Sequence, residues 1–330
     1  MTTQGAAASV SPVLLGRQRG LVDRFGDRGL YAITLLAAVG SVAIVAGLAY
    51  KVFDEAASAI SSSGVGFVTT SNWDPVHEQF GAADFIYATA VSSLGALLIA
   101  TPLSIAIALY LTELAPRRAR TPIGTLVELL AGIPSVVLGL WGILVLGPPM
   151  HSTIEPALHS AFGWIPVIGN LFGSEYSLVG LFPAIVILTI MTLPIVSSLT
   201  REIFATVPTE AKEGALALGA TRWEMVKTTV LPYARPGIIA AVILGLGRAV
   251  GEAIAVAQVI GGNPGIHANI FVPAQTLAGQ IASKYQGATS QLEISSIAYL
   301  AAILLVLSLL FNGVARLIVR NFQLRAQREG

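Results

Sequence analysis

Two oppositely charged residues lie within one long apolar stretch of the sequence. Arg248 and Glu252 stand four positions apart near the middle of the run 236–262, so on a helix they share one face. An ionised side chain deep in a membrane costs at least about 2.5–3.5 kcal/mol and is expected to face a bundle interior or a wet cavity. Arginine suits an oxyanion, because its planar fork donates two parallel hydrogen bonds and keeps its charge. The pair is a candidate lining of an anion pathway.

A second interpretation of this pair is purely structural. Arg248 and Glu252 would neutralise each other and hold a helix bundle together, as intramembrane charges often do. Both interpretations stay open, since a glutamate that holds the guanidinium in place would also weaken the binding of an anion to that guanidinium. The surrounding glycines Gly245, Gly247 and Gly251 would allow close helix approach or leave room for a ligand.

The segment 201–235 carries the second set of candidate residues. Gly219 suits a left-handed helix stop, and Thr221 with Glu224 forms a capping box for a following helix. Pro232 is expected to close that second helix. The pattern therefore predicts an elbow of two short helices.

Such an elbow would turn Glu210, Lys212 and Glu213 outward, with Ala215 and Leu216 beside them. That surface suits docking into a groove on another protein. An amphipathic loop resting on lipid headgroups is the alternative, and spacing alone does not separate the two.

Composition indicates where these residues must sit. Hydrophobic residues make up 54% of the chain and charged residues 11%, whereas a soluble domain has about a quarter of its residues charged. Much of the surface must therefore face membrane lipid. The net charge of +1 indicates no nucleic-acid partner, and without cysteine and with four dispersed histidines a metal site is not expected.

Six stretches are long and apolar enough to cross a bilayer as helices. The first is too long for the core of a cleavable signal peptide, so we interpret it as an uncleaved span. The predicted spans are about 30–52, 85–112, 124–147, 177–200, 236–262 and 294–316.

Basic residues orient the spans. If residues 1–29 form a cytoplasmic tail, sixteen of the nineteen Lys and Arg fall in cytoplasmic segments, which is the arrangement that the positive-inside rule favours. The sequence thus predicts an all-α integral membrane protein with both termini cytoplasmic. We expect a permease domain over 30–320, with a cytoplasmic tail over 321–330.

The elbow resembles the EAA loop of the permease subunits of bacterial ABC importers. Glu213-Gly214-Ala215, then Gly219 six residues after the glutamate, then Leu231-Pro232 match its spacing, although Gly214 replaces the usual first alanine and Thr229 stands where isoleucine is common. The resemblance implies an importer permease fold whose cytoplasmic coupling helix fits a cleft on an ATPase. The coupling residues it implies are Glu210, Glu213, Gly214, Ala215, Gly219, Leu231 and Pro232.

Further stretches resemble the phosphate-specific members of this family. They are Glu128–Val137, Gly247–Glu252 and Gly262-Asn263. Trp73-Asp74-Pro75 and Phe80-Gly81 are more similar to the PstC-type subunit than to the PstA-type.

The resemblance implies the permease subunit of an ATP-driven importer, with inorganic phosphate as substrate. The expected partners are a PstA-type permease as heterodimer, two PstB-type ATPase subunits, a PstS-type extracytoplasmic phosphate-binding protein and membrane lipid. In these permeases the residues that match Arg248 and Glu252 are associated with transport. The chain has no Walker pattern, so we expect no enzyme activity and no cofactor on it, with ATP and Mg held by the partner ATPase.

Two other classes of protein are weighed against this one. A gradient-driven secondary transporter or channel would use Arg248 and Glu252 as a proton or ion relay, but no inverted repeat is evident and the elbow would be unexplained. A membrane-embedded enzyme or a structural subunit of a respiratory assembly would need a grouped set of His, Asp or Ser residues, and none is evident.

Overall fold

The computed structural model describes residues 21–326, which are mostly helical. The chain divides into two units, Met1–Lys51 and Val52–Gly330. The described part of the first unit is helix α1, which continues into the second. The predicted tail over 1–29 lies outside the described residues up to position 20. Beyond that position it is helical, and the last helix continues into the predicted tail over 321–330.

The regular elements follow the apolar stretches closely but not everywhere. The helices are α1 (Leu21–Ser63), α2 (Gly66–Thr69), α3 (Ala83–Leu109), α4 (Arg117–Ala131), α5 (Ser135–Trp141), α6 (Gly147–Pro149), α7 (Glu155–Phe162), α8 (Leu181–Ala205), α9 (Thr209–Ala217), α10 (Arg222–Met225), α11 (Leu231–Gly251), α12 (Ile254–Val259), α13 (Leu277–Lys284) and α14 (Gln291–Ala326). One antiparallel hairpin pairs β1 (Trp73–Asp74) with β2 (Gln79–Phe80).

Several of these helices join end to end through π-helical turns. Each π turn in residues 21–326 ends two positions before a proline. A proline lacks the backbone N–H and its ring clashes with the carbonyl four residues earlier. At three of the four turns the wider spacing accommodates that ring and the helix continues, whereas after Tyr110–Leu114 the backbone becomes extended at Ala115 and α4 begins at Arg117. The π turns are Tyr110–Leu114, Gly142–Leu146, Met150–Ile154 and Val226–Val230.

Six helical stretches of the described residues are long and apolar enough to span a membrane. Each of them overlaps one of the six predicted spans, but the third and fifth are displaced along the chain. The six are Gly26–Ser63, Ala83–Leu114, Ser135–Phe162, Leu181–Ala205, Arg222–Gly251 and Gln291–Val314.

The predicted third span, 124–147, is wrong in its position. Residues up to Ala131 belong to α4, an amphipathic helix that ends at Gly132. Pro134 disfavours helical geometry at the residue before it, and a new helix starts at Ser135. The membrane-spanning helix therefore runs from Ser135 to Phe162.

The predicted fifth span, 236–262, also differs from the structure. Its helix begins at Arg222 and ends at Gly251, because the backbone turns to an extended conformation at Glu252. The short helix α12 follows.

Helix α8 is the most buried element of the second unit, with α3 and α11 packed against it. Helix α3 runs in the same direction as α8, since Thr189 Oγ1 donates to the carbonyl of Ala96 and Ser104 Oγ to that of Leu193. Helix α11 runs the opposite way, since Gly237 lies against Ile203 and Gly245 against Thr192, and it also packs against α14. The end of this unit that carries α9 is called the elbow end below, and the end that carries the β1–β2 hairpin is called the far end.

Candidate functional site

The depth of Arg248 is set by its neighbours along α8. A Cβ placed on Gly245 would lie 2.9 Å from Thr192 and 2.7 Å from Val196, at the middle of α8. Further along the chain, Val259 accepts a hydrogen bond from the N–H of Gly180, where α8 begins. Arg248 lies between these two positions along the axis of α8, so its guanidinium is at the depth of the membrane-spanning part of the bundle.

The helix that carries Arg248 ends one turn later. Sequence reasoning placed Arg248 and Glu252 on one face of a continuous helix. That prediction is wrong, because α11 stops at Gly251 and Glu252 has extended geometry (φ −73°, ψ 115°). The Glu252 carboxylate then accepts from the N–H of Ala255 at 3.4 Å, in the first turn of α12. Broken helices at membrane depth occur where the backbone is buried in protein or lines a wet cavity.

The two charges remain neighbours across this break. Arg248 Nη2 lies 3.6 Å from Glu252 Oε2, and the side chains are 43% and 9% exposed. Glu252 is thus enclosed by protein, whereas Arg248 keeps much of its guanidinium open. An arginine with one side neutralised and the other free can donate hydrogen bonds to an oxyanion without holding it tightly.

The open side of Arg248 faces a groove of about 940 Å³ between α11 and α14. The groove is mostly apolar, with Asn312 and Arg316 as its other polar residues. Its lining is completed by Ile195, Ala240, Ile243, Leu244, Gly247, Leu309 and Gly313.

The three glycines near the pair serve two different purposes. Gly245 allows α11 to approach α8, because any side chain there would overlap Thr192 and Val196. A Cβ on Gly247 or Gly251 would meet nothing within 4 Å. The helix surface beside Arg248 is therefore bare, with room for a ligand or a partner.

The elbow forms as the sequence predicts at its corner. Gly219 has φ +87°, and its N–H donates to the carbonyl of Leu216 while that of Ala220 donates to Ala215. These two bonds make a Schellman motif, which satisfies the last carbonyls of α9.

The predicted capping box of the second elbow helix is also present. Thr221 Oγ1 accepts from the N–H of Glu224 at 3.3 Å, and the Glu224 carboxylate accepts from the N–H of Thr221 at 2.8 Å. Pro232, however, does not close this helix. It follows the π turn Val226–Val230, and the helix continues to Gly251. The second elbow helix is therefore continuous with the helix that carries Arg248.

Helix α9 presents the predicted coupling residues unevenly. Glu210, Glu213 and Gly214 are exposed, while Ala215 is half-buried against the bundle. The prediction that Lys212 points outward is wrong. Its Nζ donates to Glu113 Oε1 at 2.6 Å, because one helical turn carries position 212 onto the same face as Ala215.

The other predicted coupling residues lie around the corner and beyond it. Gly219 is exposed, as is Pro232, and Leu231 is half-buried. Leu218, at the corner itself, has 92% of its surface exposed. Sequence reasoning missed this apolar residue, although a leucine directly before a helix-stop glycine lies at a helix end, where exposure is common.

Two ion pairs at the elbow end were not predicted. Lys212 pairs with Glu113, and Arg201 pairs with Glu128, which lies on α4 rather than on the third span. Arg201 and Glu128 are 73 positions apart in the chain. Their separation leaves no local pattern by which the sequence alone could pair them.

Glu155 is a third charged residue that sequence reasoning missed. It is fully buried at the start of α7, where its Oε2 accepts from the N–H of Ser177 at 3.3 Å. This contact holds α7 to the segment before α8. Within the part of the chain that is described, no group of three His, Asp or Glu side chains is placed to hold a metal ion.

Taken together, these features are typical of membrane transport proteins. Six apolar helices, a charged pair at a helix break and an exposed elbow on one end are the parts of a polytopic membrane transport subunit.

Comparisons with known proteins identify the family. Residues 100–324 match the binding-protein-dependent transport system inner membrane component family. The chain is 40% identical over 322 residues to a phosphate transport system permease protein PstC of Mesorhizobium japonicum, which covers 97% of this chain and 98% of that protein. A PstC of Xylella fastidiosa is 42% identical, covering 91% and 93% of the two chains. The chain belongs to the binding-protein-dependent transport system inner membrane component family.

Solved structures support the same fold. The chain superposes on a bacterial ABC transporter involved in the import of the acidic polysaccharide alginate with a TM-score of 0.55, at 21% identity over 90% of this chain and 98% of that one. A MetNI methionine ABC transporter matches with a TM-score of 0.50, at 23% identity over 73% and 94%. The protein therefore has an ABC importer permease fold and is a multi-pass transport component of the cytoplasmic membrane rather than an enzyme.

Proposed function

We propose that this chain is the PstC-type permease subunit of an ATP-driven phosphate importer and forms half of the translocation pathway for inorganic phosphate. The observation that carries the proposal is its near full-length identity of 40% with a PstC permease. The half-open arginine at the helix break supplies a group whose chemistry fits the substrate.

Arg248 and Glu252 are the residues of this chain that we assign to the pathway. The open guanidinium donates to phosphate oxygens, and the enclosed carboxylate 3.6 Å away holds the arginine in position. Because Glu252 also offsets part of the positive charge, the phosphate is released onward instead of being trapped. The bare surface at Gly247 and Gly251 gives the anion access to the arginine.

The elbow end lies in the cytoplasm in this proposal, and so do both termini. The positive-inside rule supports this orientation, since basic residues of the second unit concentrate at the elbow end. The β1–β2 hairpin then faces the extracytoplasmic side, where a PstS-type phosphate-binding protein would deliver its cargo.

The exposed face of α9 is the surface that we assign to energy coupling. Glu210, Glu213 and Gly214 would enter a cleft on a PstB-type ATPase, and a PstA-type permease would present its own elbow to a second ATPase subunit. ATP and Mg would be held by those partners. ATP binding would close the two ATPases and open the pathway outward, and hydrolysis would reset it.

Phosphate uptake at low external concentration tests the proposal. Cells that lack this gene are compared with cells that carry it, with ATP depleted in one arm and the proton gradient collapsed in another. We expect uptake to require both the gene and ATP and to survive loss of the gradient. If uptake stops when the gradient is collapsed and continues when ATP is depleted, the gradient-driven alternative is correct instead.

A further inference from the structure

Helix α9 has two faces with different surroundings. Glu210 and Glu213 are exposed on one, whereas Lys212 and Ala215 turn toward the bundle on the other. Ala215 packs beside a buried apolar cluster that includes Phe204 of α8. Lys212 thus places a positive charge on the face that has apolar neighbours, away from the face that the proposed function gives to the ATPase.

Lys212 joins α9 to the ends of two membrane-spanning helices. Its Nζ donates to Glu113 Oε1 at 2.6 Å, at the end of the α3 span, and to the carbonyl of Phe204 at 3.3 Å, in the last turn of α8. Both side chains of the ion pair are largely buried, at 18% exposed for Lys212 and 13% for Glu113. The pair also stands between two cavities of about 680 and 730 Å³, since both residues line each of them.

The withdrawal of this pair from water makes it a stiff connection. An exposed ion pair opens easily because water replaces the partner. A largely buried pair opens only if two charges are left without partners in a poor solvent, which is strongly unfavourable. Movement of α9 away from Glu113 would leave both charges without a partner, so we expect α9 to move together with Glu113 and Phe204.

Glu113 lies just beyond α3, where the backbone departs from α-helical geometry. Glu113 lies in the π turn Tyr110–Leu114, which precedes Pro116. A π turn rotates the residues after it relative to an ordinary helix, and such turns are frequent at functional positions. Lys212 and Glu113 are 99 positions apart, so the contact exists through the fold alone.

We propose that the Lys212–Glu113 ion pair transmits movement of the elbow to the cytoplasmic ends of α3 and α8, so that ATP hydrolysis is coupled to opening of the pathway. Both are positioning residues, since neither is assigned a contact with phosphate or with the ATPase. The inference rests on the proposed function, because it concerns how that transport is driven.

The test measures phosphate import and ATP hydrolysis in the same proteoliposomes, with the complete importer and its phosphate-loaded binding protein. Lys212→Met keeps the aliphatic stem and removes the charge, and Lys227→Met is the matched control at an exposed lysine. We expect Lys212→Met to assemble and hydrolyse ATP while the phosphate moved per ATP falls about 2- to 30-fold, the range for residues along a coupling network. Lys227→Met should keep the unmodified ratio.

A charge exchange separates coupling from a general role in folding. The double variant Glu113→Lys with Lys212→Glu restores an ion pair at the same place, and we expect it to recover most of the lost phosphate-per-ATP ratio. If the unmodified complex imports phosphate, this inference is overturned by an unchanged phosphate-per-ATP ratio in Lys212→Met. It is also overturned if the double variant assembles but does not recover the ratio. Absence of import by the unmodified complex instead overturns the proposed function and this inference with it.

Discussion

Arg248 Nη2 and Glu252 Oε2 lie 3.6 Å apart across the end of a helix, with the arginine on its last turn and the glutamate in the extended residue that follows. The carboxylate is enclosed and the guanidinium is open. Because of this difference in exposure, a ligand can reach the arginine without displacing the glutamate. Mutual neutralisation of the two charges would not require the arginine to stay exposed.

Removal of the guanidinium should stop most transport. Loss of a hydrogen bond to a charged group, worth about 1.5–3 kcal/mol, predicts that Arg248→Ala lowers the rate of phosphate uptake roughly 10- to 150-fold. Arg248→Lys should recover only part of it, because an ammonium lacks the planar fork. Uptake is measured at equal membrane levels of protein, with Arg235→Ala as the control at an exposed arginine of the same helix. If Arg248→Ala took up phosphate at the unmodified rate, the pair would have only a structural role.

Charge reversal on the exposed face of α9 should detach the ATPase. Glu213→Arg places a cation where the proposed ATPase contact has a carboxylate, so the partner should be lost when the complex is purified in detergent. Glu175→Arg is the control, since Glu175 is also exposed but lies before α8 at the far end. If Glu213→Arg retained the ATPase, this face of α9 would not be part of the interface.

The elbow corner should depend on glycine at position 219. Its φ of +87° costs a residue with a side chain about 1–2 kcal/mol, so Gly219→Ala should loosen the Schellman motif. Hydrogen exchange of the Ala220 amide is expected to accelerate roughly 5- to 30-fold, as that free energy implies. Gly214→Ala, in an open position inside α9, should slow exchange, because alanine favours a helix over glycine. Equal exchange in both variants would mean that the corner is not held by this motif.

Contact between α8 and α11 should fail if position 245 gains bulk. Gly245→Val would overlap Thr192 and Val196, and overpacking of this kind costs about 1–3 kcal/mol. We expect a lower thermal midpoint of the purified protein. Gly247→Ala has open space around it and should leave the midpoint unchanged or slightly raised. A midpoint that is the same for both variants would contradict the close approach of the two helices at Gly245.

The orientation can be measured directly, because the chain has no cysteine. Leu218→Cys lies at the elbow corner, and Val76→Cys lies in the hairpin at the far end; both positions are highly exposed. A membrane-impermeant maleimide should label Val76→Cys in intact cells and Leu218→Cys only after the membrane is opened. The reverse pattern would place the elbow outside the cell.

Features that depend only on neighbouring residues could be predicted from the sequence alone. Composition and apolar length predicted six membrane-spanning helices, and six are present in the described residues. The left-handed Gly219 and the capping box of Thr221 with Glu224 followed from local chemistry, since a helix end is settled by backbone groups within a few positions.

The positions where helices stop inside apolar sequence, and the charges that meet, depend on how the chain packs in three dimensions. Hydropathy did not register the break at Pro134 or the turn at Glu252, because apolar residues continue on both sides of each. Pro232 was expected to end a helix, but the preceding π turn accommodates it. Lys212 and Glu113 meet over 99 positions because α3 and α8 run side by side in the same direction. Contacts of that kind depend on packing, and no local pattern in a sequence records them.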